Sequence, residues 1–250
     1  LIPLAPGKAE LELADIEQWV NRSAGGRVPT KVGVISIESP VRRKNHEFVA
    51  YAELERISHY AREKGIRLHL DGARLFNLPL HTGKSVQEYA ALFDTVYVSL
   101  WKHFNGASGA ILAGDAEFIE GLFHTRRMFG GSLPFAWPQI APVMQFADSY
   151  EADYAKSWQA ADRFIEILST DSRFSIQKID NGTSRFLLSV TGMAANVFAD
   201  RLSKYGVILP NPPPGINTFQ MQVNPTILRT TPEKLSRVFM GSLQLASNTR

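Results

Sequence analysis

The strongest constraint on this chain is a pair of strand-like segments, residues 66–70 and 94–100, each leading directly or within two residues to a residue that carries chemistry. Asp71 closes the first run and Lys102 follows the second. Between them, Ser85 and Glu88 have the spacing of a capping box that opens a short helix. A strand, helix, strand order with short links favours right-handed parallel crossovers, which puts the two strand ends on one edge of a sheet. That edge is where open α/β sheets bind ligands. Upstream, residues 31–37 form a β-branched apolar run of the kind expected for a strand buried on both faces, ending at Glu38, Ser39, Pro40 and Val41. Downstream, Gly106, Ala107, Ser108 and Gly109 lead into a further apolar run that ends at Gly114.

An acid and an amine on one edge suit a particular chemistry. A pyridine nitrogen that must stay protonated needs a carboxylate beside it, and an aldehyde that must be held covalently needs a lysine amine. Taken singly, Asp71 is better explained as the cap of the following turn, and Lys102 as a solvated surface lysine. Together with Arg74 and Ser99 they favour a site.

These segments carry a resemblance. Residues 68–77, Leu-His-Leu-Asp-Gly-Ala-Arg-Leu-Phe-Asn, resemble the cofactor-binding stretch of the threonine aldolase and β-eliminating lyase family, pyridoxal-phosphate enzymes of the aspartate-aminotransferase fold. Residues 98–110 resemble its Schiff-base lysine segment, and residues 126–131 the helix end that follows. The resemblance implies an α/β fold with a three-layer, mainly parallel sheet. This would be the large domain of the PLP-dependent transferases, lacking its N-terminal part and followed by a smaller C-terminal α+β domain. It also implies that Lys102 holds pyridoxal phosphate, that Asp71 protonates the ring nitrogen, that Arg74 bonds the ring phenolate and that Ser99 touches the phosphate. The phosphate-cradling loop and stacking ring of that family are not visible in the sequence, so the chain is expected to be a fragment or to have lost those parts.

Two departures bear on the reaction. The family usually carries a histidine where Val41 stands, and valine can neither donate nor accept a proton. His46 lies close enough in the same loop to substitute, although a lone loop histidine is more often simply exposed. Pro134 stands near a position that often holds an arginine. His69 either points to the cofactor side or packs within the sheet, and His103 is expected to point away from Lys102.

The chain is large enough to bury a sizeable core, and its formal charge of +3 arises from 27 basic and 24 acidic groups that are mostly interspersed. Only residues 41–45 form a basic cluster, so nucleic acid is not an expected partner. With 0 cysteines there is neither a disulfide framework nor a thiolate metal site, and no metal is expected. No apolar run reaches the roughly 18 to 20 residues of a membrane-spanning helix, and the start lacks the pattern of a signal peptide. A cytoplasmic protein is the expectation.

From about residue 148 the pattern changes, which divides the chain into a partial large domain, residues 1–147, and a small domain, residues 148–250. A long amphipathic helix marked by Tyr150, Tyr154 and Trp158 leads into a hairpin turning at Asn181 and Gly182. A helix, a strand and a final helix opened by Thr231 and Pro232 complete an α+β pattern. Arg229 falls between that strand and that helix. The resemblance assigns an arginine there to the substrate carboxylate; a surface arginine explains it equally well.

The activity implied is cleavage of a bond next to the α-carbon of an amino acid, foremost the retro-aldol cleavage of L-threonine-like β-hydroxy-α-amino acids to glycine and an aldehyde. A β-eliminating lyase on the same scaffold, or a non-catalytic or fragmentary homologue that holds no cofactor, is the alternative. A small-molecule amino-acid substrate and assembly as a homodimer or homotetramer follow from the same resemblance.

Overall fold

The structure, a computed structural model, describes residues 1–210 and 212–244. It divides into two compact units, Leu1–Glu151 and Ala152–Arg250. The division lies within a helix, slightly beyond the position read from the sequence.

The first unit runs α1 (Leu13–Ala24), β1 (Val34–Glu38), α2 (Tyr51–Lys64), β2 (Arg67–Asp71), α3 (Leu78–Thr82), α4 (Val86–Ala90), β3 (Thr95–Ser99), β4 (Ala110–Gly114), α5 (Ala116–Glu120), α6 (Leu122–Met128) and α7 (Trp137–Ala147). The sheet order is β1-β2-β3-β4. β1, β2 and β3 are parallel, as the crossovers required, and β4 returns antiparallel to β3.

Local chemistry sets several element ends. Ser85 and Glu88 exchange both capping-box bonds at the start of α4. α2 stops at Gly65, whose φ of 61° is open to glycine at little cost. At Gly72 a Cβ would meet the Tyr97 carbonyl oxygen at 2.9 Å and Leu75 Cβ at 3.1 Å, so β2 can turn so tightly against β3 only with glycine there. Asp115 occupies the position before α5 without a side-chain cap bond, and the helical stretch that follows divides at Gly121 into α5 and α6. Pro142 sits inside α7.

One face of the sheet is packed. Ile35, Ile37, Leu68, Leu70 and Val96 meet Ile16 of α1, Leu54, Ile57 and Ala61 of α2, and Tyr89 of α4. Each fully buried aliphatic chain of this kind contributes about 1.5 to 3 kcal/mol relative to exposure. The other face differs. Val34 and Ser36 are exposed, while Glu38, His69, Asp71, Thr95 and Tyr97 are half-buried. β1 therefore alternates, and the expectation of a strand buried on both faces is corrected: among the described residues only its Ile35 and Ile37 face is covered.

The second unit is built on the later turns of α8 (Tyr150–Leu168), then β5 (Phe174–Lys178), β6 (Arg185–Val190), α9 (Ala195–Ser203), β7 (Thr218–Gln222) and α10 (Pro232–Ser242). Its sheet, β5-β6-β7, is antiparallel throughout. Asn181 takes a positive φ of 51° in the hairpin, and the Thr231 hydroxyl caps α10 by accepting from Lys234 N at 3.2 Å. Phe164, Leu188, Phe198, Phe219 and Phe239 form its core.

Candidate active site

Parallel pairing brings three strand ends to one edge. The register sets Glu38 opposite Asp71 and Asp71 opposite Tyr97, so these side chains share the half-buried face. Asp71 Oδ1 accepts from Ala73 N at 3.1 Å, which is the turn-capping role the plainer reading gave it. Its second oxygen accepts no hydrogen bond among the described residues. His69 shares the face and is tied within the sheet to Thr95 Oγ1 at 2.9 Å.

The turn after β3 carries Lys102 and folds back on itself. Leu100 N donates to Gly109 O at 3.1 Å, and the Leu100 carbonyl accepts from Gly106 N at 3.3 Å. A Cβ on Gly106 would meet Val143 Cγ2 at 2.9 Å, so the turn also seats closely on α7. Lys102 is half-buried rather than solvated, and its Nζ lies 5.1 Å from the Trp101 ring centroid. Burial pushes the amine below its ordinary pKa, and the Arg74 guanidinium pushes the same way. Asp71 and Glu38 act in the opposite sense, with Arg42 again lowering it, and the net direction is down. Asp71, Arg74 and Lys102 therefore stand within electrostatic reach of one another. A lysine so placed keeps more of its neutral, nucleophilic form near neutral pH than an exposed one does.

Ser99 is fully buried, and its hydroxyl has no hydrogen-bond partner among the described residues. Arg229 ends a short 3-10 turn, Pro225–Arg229, and is exposed in the second unit. Val41 pairs with Glu47 to close the loop after β1, its N donating to Glu47 O at 2.7 Å. His46, expected at the surface, is fully buried beneath that loop, which corrects the sequence reading. Pro134 is exposed.

Sequence reasoning missed several residues here. Glu38 holds Arg42 N at 2.8 Å and adds a second carboxylate beside Asp71; its place at a strand end was the available signal. His103 does turn from solvent, but into a polar contact: its Nδ1 lies 2.8 Å from the Tyr150 hydroxyl, which donates to Asn77 Oδ1 at 2.7 Å. Nothing in the spacing of Asn77, His103 and Tyr150 announces that they meet. A groove of about 540 Å³ runs along β1 beside the first residues of the chain and α1, and touches this constellation at Glu38.

The family model for the beta-eliminating lyases matches residues 1–169. The chain belongs to that family. Among curated relatives, a low-specificity L-threonine aldolase of Candida albicans is 40% identical over 105 residues, covering 42% of this chain and 27% of its own length. An alanine racemase, TOXG, of Cochliobolus carbonum is 37% identical over 165 residues, covering 63% of this chain and 42% of its own. Among solved structures, one from Listeria monocytogenes EGD-E, provisionally assigned as an L-allo-threonine aldolase, superposes with a TM-score of 0.72 at 28% identity over 93% of this chain and 64% of that one. The chain thus spans less than half the length of either curated relative. These likenesses bear out the family and the α/β fold with its mostly parallel sheet.

Proposed function

We propose that this protein is a pyridoxal-phosphate-dependent lyase acting on small amino acids, and that its reaction is the retro-aldol cleavage of L-threonine-like substrates to glycine and an aldehyde. The observation that carries this reading is the placement of Asp71 and Lys102 at neighbouring strand ends, with the Lys102 amine held below its ordinary pKa. The residues present fit the cofactor: an amine of lowered basicity, a carboxylate with one oxygen unengaged, and at Ser99 an orphaned buried hydroxyl.

When bound, pyridoxal phosphate supplies an electron sink for the pair released at the substrate's α-carbon. Lys102 would hold it, and its amine, once freed by the substrate amine, would carry protons at the reacting carbon. Asp71 would keep the ring nitrogen protonated through its unengaged oxygen. Arg74 would donate to the ring phenolate. Ser99 Oγ would supply a hydrogen bond to a phosphate oxygen. Arg229 takes the substrate carboxylate, for which a guanidinium offers two parallel hydrogen bonds.

Cleavage breaks the Cα–Cβ bond, removes the proton of the β-hydroxyl and returns a proton to Cα. Val41 cannot take that hydroxyl proton, and this favours a second reading on the same scaffold, β-elimination or exchange of the α-proton alone. The likeness to an alanine racemase supports the latter. Exposed Phe129, Phe135 and Trp137, at 84%, 76% and 71% of full exposure, support assembly as a homodimer or homotetramer. No helix among the described residues is long and apolar enough to cross a membrane, and the absence of cysteine supports a cytoplasmic location.

The test is direct. Full-length protein mixed with pyridoxal phosphate gains a visible absorption band that Lys102→Ala does not; a wild type that stays colourless ends the enzyme reading. Products then separate the reactions: glycine with aldehyde for aldol cleavage, pyruvate with ammonia for elimination, and inverted alanine for racemisation.

A further inference from the structure

Three polar side chains meet inside the first unit, and the reading above gives none of them a task. Asn77 ends the 3-10 turn Leu75–Asn77 that directly follows the Asp71 to Arg74 strand end. His103 is the neighbour of Lys102. Tyr150 begins α8. All three are buried, and the Tyr150 hydroxyl joins the other two at 2.7 and 2.8 Å. Rings close the same gap. Phe76 and Phe104 meet edge to face at 4.9 Å, and Tyr150 lies 5.3 Å from Phe104 and 4.9 Å from His103, centroid to centroid.

We propose that Asn77, His103 and Tyr150 form a positioning brace that fixes the Lys102 turn against the Asp71 and Arg74 strand end. One hydroxyl links Asn77 of the first segment to His103 of the second, beside the Phe76 and Phe104 contact, and a hydroxyl so used leaves little freedom. Its proton goes to the Asn77 oxygen, which only accepts, and the hydroxyl oxygen accepts from His103 in the tautomer that carries its proton on Nδ1. The ring stays uncharged while doing this: burial, then Arg74 and Lys102, push His103 down to about 3, against a weaker opposing effect of the Ala73 backbone. A neutral, buried imidazole does no acid–base work at neutral pH. What it offers is direction, and direction is what a lysine needs if it is to remain sheltered and beside Arg74.

The importance of Lys102 rests on the reading above, so the decisive measurement needs no cofactor. In cofactor-free full-length protein, acetic anhydride labelling of Lys102 is followed against pH by peptide mass mapping, in wild type, Tyr150→Phe, His103→Leu and His103→Asn. Thermal midpoints and the rate of pyridoxal phosphate attachment are measured alongside. Tyr150→Phe and His103→Leu are expected to move the labelling midpoint upward and to slow attachment at neutral pH about tenfold. His103→Asn, whose amide nitrogen falls where Nδ1 was, restores both. Tyr150→Phe keeps the ring, so it reports even if His103→Leu does not fold. If Tyr150→Phe lowers the thermal midpoint and leaves Lys102 labelling where it was, the contact is structural only and the brace is refuted; failure of His103→Asn to restore labelling refutes it equally. A wild type that takes up no pyridoxal phosphate ends the proposed function, while the labelling series still judges the brace.

Discussion

Tyr150 and Tyr154 stand one turn apart on α8, both buried and both with engaged hydroxyls, yet they serve different neighbourhoods. Tyr154 donates to the Thr183 carbonyl at 2.8 Å and accepts from Trp158 Nε1 at 2.9 Å, all within the second unit. Its partners are a backbone group and a residue of its own helix. Burial raises its phenol pKa well above the ordinary value, with the Trp158 bond a smaller opposing effect. Tyr150 instead bonds two side chains of the first unit, each adjoining a segment that holds a candidate site residue. The same residue type in the same helix thus joins a scaffold in one case and the Lys102 turn in the other. Partners, and not burial, make the difference.

That contrast can be sharpened by experiment, beginning with the largest effect. Lys102→Ala sets the floor: activity is expected to fall by at least about 10³-fold, with no covalent attachment of pyridoxal phosphate, which neither tyrosine variant should reproduce. Asp71→Asn should cost about a hundredfold in kcat. The same change removes an interaction that raises the Lys102 pKa, so the labelling midpoint should fall, whereas Arg74→Ala should raise it. Opposite signs at two neighbours are a demanding check on the electrostatics. Arg229→Ala should raise KM for the amino acid about tenfold with kcat little changed; an unchanged KM removes it from the site.

The smallest kinetic effect belongs to the scaffold tyrosine. Tyr154→Phe removes the bonds to Trp158 Nε1 and the Thr183 carbonyl and should cost about 1 to 3 kcal/mol of stability, read by denaturant titration, with Lys102 labelling unmoved. A labelling shift in Tyr154→Phe would erase the distinction between the two residues. On the acid side, His103 titrates near 6.5 when unfolded and about 3 when folded. The unfolded chain binds the extra proton across that window, so stability is lost as pH falls from about 6.5 towards 3. His103→Asn should remove that part of the acid loss.

Much was legible beforehand because it is local. The Ser85 and Glu88 capping box, the Asn181 hairpin and the Thr231 cap each depend on residues a few positions apart, and all formed as read. Asp71 and Lys102 could be placed on one edge because a strand, helix, strand order fixes which edge both occupy. The expectation of β1 buried on both faces failed because a β-branched run states that a strand is wanted and not what will cover it. His46 failed for a related reason: a polar residue in a loop gives no sign of whether the loop folds over it.

The sequence by itself determined the order of strands and helices, their stops, and the acid and amine at one sheet edge, because hydrophobic period, capping and crossover handedness act over short stretches of chain. Only the tertiary structure decided that Asn77, His103 and Tyr150 come together and that Arg74 and burial act jointly on Lys102. Such meetings join segments far apart in the chain, and they depend on packing distances that no periodicity encodes.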